Sequence, residues 1–277
     1  MEDTTVSTFT KVHTTVTFIV MIVVNVLANI IPFNGMTTGE VANSYQNLFT
    51  PAALTFSIWG VIYILLGGYI LYQFGFFSKK NGTFSKDLIE KIGILFTISS
   101  MANTAWIFVW HYKSIGISLA MMAVILLCLI IINIKTGKAE LTTREKIFIR
   151  LPFSIYFGWI TVATIANATV FLVSIGWNRF GVPDWIWTIA ILIVGLIIAG
   201  LTMFKNCNLG FGLVVIWAYI GILIKHTSAS GFGGEYPFVI LVLILSIMVL
   251  LIAEVYIAVT DKEKLKSFSL FKKKTEQ

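Results

Sequence analysis

Apolar residues fall in eight runs along the chain, at 15–31, 52–74, 88–110, 115–134, 147–173, 185–204, 209–224 and 236–259. Most of these runs are close to the roughly 20 residues that a helix needs to cross a bilayer's hydrocarbon core. The seventh is short, and the fifth is long enough to tilt. Turn formers separate the runs: Pro32-Phe33-Asn34-Gly35, Lys79-Lys80-Asn81-Gly82, Thr136-Gly137-Lys138, Gly181-Val182-Pro183-Asp184 and Gly231-Phe232-Gly233-Gly234. The pattern predicts an all-α, polytopic membrane helix bundle of about eight transmembrane helices. What lies between the runs suffices only for connections and tails, so residues 1–277 read as one membrane domain, closed by a basic tail at 261–277.

Composition agrees: 57% of the 277 residues are hydrophobic and 12% are charged, about half the charge of a typical soluble domain. Charge then orients the helices. With eight spans, only Lys113, Arg179 and Lys225 of the 20 basic residues fall on the side away from the termini. Basic residues gather on the cytoplasmic side of membrane proteins, so both termini are expected in the cytoplasm. An odd span count would put the tail lysines on the wrong side. The net charge of +7 sits at run ends and sets topology, so nucleic acid is not an expected partner. The acidic N-terminus and the lack of a small-residue cleavage site mark the first run as a retained helix, not a signal peptide. Trp177, Trp185 and Trp187 read as an outer aromatic belt. Cys128 and Cys207 fall on the cytoplasmic side and read as free thiols. His13, His111 and His226 cannot form a multi-histidine metal cage. A Gly-x-Ser-x-Gly elbow and a phosphate-binding loop are both missing, so the chain is not read as an enzyme and no metal is expected.

The remaining candidates are polar and aromatic residues inside the runs. Helix one carries Asn25 and Asn29 one turn apart. Helix two carries Phe56, Trp59 and Tyr63, and helix three carries Asn103, Trp106 and Trp110. Helix five presents Trp159, Ala163 and Asn167 at intervals of four. The orientation puts all of them in the middle-to-outer half of the bilayer, under the long first loop at 33–50. Two readings fit: polar and aromatic residues that glue helices together, or a pocket for a planar ligand with that loop as a lid gating access. Asn103 and Asn167 lie at similar depth and are expected to share one cluster. Trp217 of helix seven is expected to stand apart from the pocket. Glu254, about two turns inside the end of helix eight, is the one clear intramembrane acid. It supports an alternative, a secondary transporter of a small solute with Glu254 in coupling.

Three motifs carry a resemblance. The stretch Phe49-Thr50-Pro51-Ala52-Ala53-Leu54-Thr55-Phe56-Ser57-Ile58-Trp59-Gly60-Val61-Ile62-Tyr63, running on through Gly67, resembles the second-helix signature of the tryptophan-rich sensory protein / translocator protein (TspO/MBR) family. Asn103-Thr104-Ala105-Trp106 is similar to that family's Asn-x-x-Trp in helix three. Trp159-Ile160-Thr161-Val162-Ala163-Thr164-Ile165-Ala166-Asn167, preceded by Pro152, resembles its helix-five motif. The resemblance covers residues 15–175, a five-helix family-like unit. The helices at 176–260 have no counterpart in short members, so the chain looks like a longer relative. It departs from the pattern at Leu54, where a tryptophan is usual, and at Trp110, near the usual place of a phenylalanine. Pro152 stands seven residues before Trp159 where four is usual, and the first loop lacks tryptophan. The resemblance implies a membrane-embedded binding or sensory protein for a planar hydrophobic ligand, tetrapyrrole-like or sterol-like, that it holds or moves across or along the membrane. The implied ligand is a porphyrin or haem-like tetrapyrrole rather than a resident cofactor, and a tetrapyrrole-modifying activity stays open. The implied ligand-binding residues are Asn29, Phe56, Trp59, Tyr63, Asn103, Trp106, Trp110, Trp159, Ala163 and Asn167. The lipid bilayer and a hydrophobic small molecule are the implied partners, a homodimer is compatible with them, and a bacterial cell membrane is the expected location.

Overall fold

The computed structural model describes residues 6–77 and 86–275, with side chains up to residue 260. The predicted turn at Lys79–Gly82 and the tail side chains Lys262 to Lys274 lie outside what it describes. Among the described residues eight helices are long and apolar enough to cross a membrane. They are α1 (Thr8–Ile30), α2 (Ala53–Gln73), α3 (Lys86–His111), α4 (Ile115–Lys138), α5 (Thr143–Ser174), α6 (Asp184–Asn206), α7 (Leu209–Thr227) and α8 (Pro237–Thr260). The α8 helix itself runs on to Thr275. The end of the bundle that carries residues 31–52 is called the loop face, and the end carrying both termini the tail face.

Helix α1 starts seven residues before its apolar run, because its threonines bond within the helix. Thr14 Oγ1 donates to Thr10 O (2.7 Å), Thr15 Oγ1 to Lys11 O (2.7 Å) and Thr17 Oγ1 to His13 O (2.8 Å). Each hydroxyl is thereby satisfied without water. Helix α5 opens with a capping box between Thr142 and Glu145, then a widened π turn over Lys146–Arg150. The π turn leads into Pro152, whose ring would clash with a carbonyl one regular turn back.

Packing runs along a chain of neighbours: α1 lies on α3, α3 on α4, α4 on α5, α5 on α7, and α7 on α8, which also packs on α6. Helix α2 leans mainly on α5 and touches α1 only sparsely. Where α5 meets α7, a Cβ on Gly158 would sit 2.8 Å from the Phe211 carbonyl oxygen. Only glycine lets these backbones approach so closely, the usual device where lipid offers no hydrophobic drive between helices. At the tail face, Asn208 Nδ2 donates to Asn133 Oδ1 (3.0 Å) and Asn133 Nδ2 to Phe153 O (3.2 Å). Arg150 donates to the Asn206 carbonyl at the end of α6. These bonds tie α6 and α7 to α4 and α5. Cys128 and Cys207 are both free thiols.

Candidate functional site

Helix α2 does not begin as a regular helix. Pro51 and Ala52 lie outside any helix, and Ala53–Ser57 form a 3-10 turn before Ile58 starts the α-helix. The break leaves backbone groups without helical partners, and α7 supplies them. Ala52 N–H donates to Gly221 O (3.0 Å), and Trp217 Nε1 donates to Thr55 O (3.0 Å). Trp217 therefore does not stand apart from the pocket region, as its place in helix seven suggested. It holds the backbone next to Phe56.

Under this break lies an apolar cavity of about 60 Å³. Phe56 and Trp59 of α2 form one wall, Trp106 and Trp110 of α3 another, and Trp159, Ala163 and Asn167 of α5 a third. Phe49, Thr50 and Pro51 contribute the roof, and Met122 of α4 fills a corner that motif reading did not reveal. The rings interlock: Phe56 and Trp59 both meet Trp159 edge to face, at 5.9 and 6.2 Å between centroids, while Trp106 and Trp110 stack at 5.5 Å. Edge-to-face and offset stacking are the arrangements that aromatic quadrupoles favour.

Three polar atoms in these walls are buried without a hydrogen-bond partner: Trp106 Nε1, Trp159 Nε1 and Asn167 Oδ1. The Asn167 amide is otherwise engaged, its Nδ2 donating to Ser118 Oγ at 2.6 Å. Two donors and one acceptor on residues lining this aromatic chamber thus lack partners.

The other candidates lie elsewhere. Asn29 and Tyr63 line a groove of about 520 Å³ between α1 and α2, separated from the cavity by Phe56 and Trp59, which border both. Asn103 lines neither space. It accepts from Asn25 Nδ2 (2.8 Å) and donates to Tyr156 OH (3.3 Å), deep between α1, α3 and α5. The expected common cluster of Asn103 and Asn167 is therefore two separate networks, because the two side chains point to different neighbours.

The first loop is a fastened roof. Trp110 Nε1 donates to Thr38 O (3.1 Å), Asn34 Nδ2 to His111 O (3.1 Å), and His226 Nε2 to Leu48 O (2.9 Å). A capping box joins Thr37 and Glu40 around the short helix Thr38–Asn43. The Thr37 backbone N–H, and then its hydroxyl, hold the Glu40 carboxyl below the usual carboxylate range. The box is therefore complete at neutral pH. At the loop face Trp187 Nε1 donates to Arg179 O (2.9 Å) and Trp177 packs on Trp187.

Glu254 is buried, 8% exposed, with Oε1 unpartnered. It faces Gly212 of α7 and lines neither the cavity nor the groove. Among the described residues no group of three or more His, Cys, Asp or Glu could hold a metal ion.

Comparison with curated proteins and with solved structures yields no match. A family model described as TSPO-like protein matches residues 11–256, and so takes in helices α6 to α8 as well as the first five. With the helix-two, helix-three and helix-five motifs lining one cavity inside the matched region, the chain belongs to the TSPO-like protein family and is an integral, multi-pass membrane protein.

Proposed function

We propose that this protein binds a planar hydrophobic ligand of the tetrapyrrole or sterol class in the aromatic cavity, and senses or moves that ligand rather than transforming it. The observation that carries this reading is the trio of unpartnered atoms, Trp106 Nε1, Trp159 Nε1 and Asn167 Oδ1. A buried polar group without a partner costs about 1–3 kcal/mol. A flat ligand with an acceptor and a donor on its edge would satisfy all three while stacking on the surrounding rings. Ring-sized ligands need pockets of roughly 300–1,000 Å³, so binding requires the cavity of about 60 Å³ to widen. The Phe56–Trp59 wall is the side with room behind it, since the roof is fastened. The test is a tryptophan-quenching titration of purified protein against a porphyrin, haem, a sterol and flexible detergents. Saturable quenching by a planar ligand and not by detergents is expected; equal response to all would overturn the reading.

In this reading the termini face the cytoplasm of a bacterial cell, with the loop face outside, on the strength of the basic-residue asymmetry. In a Cys128→Ala, Cys207→Ala background, Glu235→Cys should label from outside intact cells. Gly137→Cys should label only after permeabilisation. Labelling of both from one side would refute the orientation.

A further inference from the structure

Sparse contact between α1 and α2 leaves a slot on the lipid-facing side of the bundle. Its loop-face half is the groove of about 520 Å³, and its tail-face half is a second groove of about 590 Å³. Tyr63 lines both halves, so they adjoin end to end along α1 and α2. From Asn29 to Thr15 the slot follows α1 for about 21 Å, two thirds of a hydrocarbon core roughly 30 Å thick. That is the shape of one extended chain, not of a ring.

Polarity divides the slot in the same place. The loop-face half holds Asn25, Asn29, Thr37 and Thr38, while the tail-face half is walled by Phe18, Ile19, Ile64, Leu71 and Phe148, its Thr15 hydroxyl being spent on Lys11 O. Tyr63 lines both halves, and its hydroxyl is buried and has no partner. Asn29 Nδ2 donates to Asn25 O (2.9 Å), and the Asn29 side chain is exposed. In hydrocarbon, polar groups of this kind need a partner that lipid tails cannot supply. No charged side chain lines either half, so an ionised head would remain uncompensated.

We propose that this slot is a binding site for a single-chain amphiphile with an uncharged hydroxyl- or ester-bearing head. The head sits between Asn29 and Tyr63, and the chain lies along Phe18 and Ile64 toward the tail face. The stacked rings of Phe77, Phe148 and Tyr72, with centroids 4.7 and 5.6 Å apart, close the far end. The loop-face half shares the Phe56–Trp59 wall with the aromatic cavity, so a planar ligand would compete for room there, but labelling without such a ligand tests this site alone.

The test uses the full chain in phosphatidylcholine vesicles and a monoacylglycerol carrying a diazirine in mid-chain. Photolysed adducts are mapped by mass spectrometry. Adducts are expected to concentrate on the slot residues Phe18, Ile19 and Ile64, and unlabelled monoacylglycerol should compete better than palmitate or hexadecane. Gly60→Leu projects into the loop-face half, where a Cβ meets nothing within 4 Å, so the fold is retained. It should cut slot labelling at least about fivefold, and Asn29→Leu, at an exposed position, at least about threefold, the scale of one lost hydrogen bond. Adducts spread evenly over the lipid-facing residues of α6 and α8 would overturn the site. So would hexadecane competing as well as monoacylglycerol, or labelling that both substitutions leave unchanged.

Discussion

Ala163→Trp is expected to abolish saturable binding of a planar ligand while leaving the bundle folded. Ala163 is only partly buried and lines the cavity of about 60 Å³ between the aromatic walls. An indole placed there occupies the space that the ligand ring must enter, so affinity should fall by about 100-fold or more, the scale of losing a binding hot spot. Overpacking costs about 1–3 kcal/mol, a drop in melting temperature of about 2–12 °C that leaves the protein folded at the temperature of the titration. Trp159→Phe provides the graded comparison. It keeps most of the ring surface and removes one unpartnered donor, so binding should weaken by about 2–10-fold, one hydrogen bond's worth. Quenching titrations and thermal melts on the same preparations separate the two effects. Undiminished affinity in the folded Ala163→Trp protein would place the ligand elsewhere.

Gly158→Leu should produce the largest loss of stability of any single change at a helix contact described above. The new Cβ would lie 2.8 Å from the Phe211 carbonyl oxygen and 3.0 Å from Val214 Cβ. A main-chain atom cannot swing aside, so α5 and α7 must part. The expected drop in melting temperature in detergent is about 6–12 °C, from a cost of roughly 3 kcal/mol at 2–4 °C per kcal/mol. Gly60→Leu, whose Cβ meets nothing within 4 Å, should melt like the parent. Equal melting of all three proteins would show that the α5–α7 seam is not tightly packed.

The eight spans were legible because a membrane span needs only length and apolarity, both local properties of the chain. The start of α1 was not, since its threonines look polar until their hydroxyls are seen bonding inside the helix. For the site, spacing along a helix gave the face on which Trp106, Trp110, Trp159 and Asn167 lie, and those faces converge on one cavity. Spacing says nothing about which neighbour a face meets. Asn103 shares a stripe with Trp106 yet turns to Asn25 and Tyr156, and Asn29 and Tyr63 open onto the groove instead of the cavity. Trp217 and Thr55 are 162 residues apart, and neither carries a local mark of the other. Pairings of that kind are properties of the assembled bundle.

The bonds from α7 to the start of α2 also decide where the protein could be divided. A chain ending after α5 would retain all three family motifs, but it would strip the partners from the Ala52 N–H, the Thr55 carbonyl and the Leu48 carbonyl. A backbone group left unpaired within hydrocarbon costs several kcal/mol, and two of these three flank the turn that aims Phe56. The last three helices are therefore no appendage that evolution or an engineer could trim at leisure. Short members of the family must brace this turn by other means, and a minimal version of this protein would have to be redesigned at residues 48–55 before it could lose its C-terminal third.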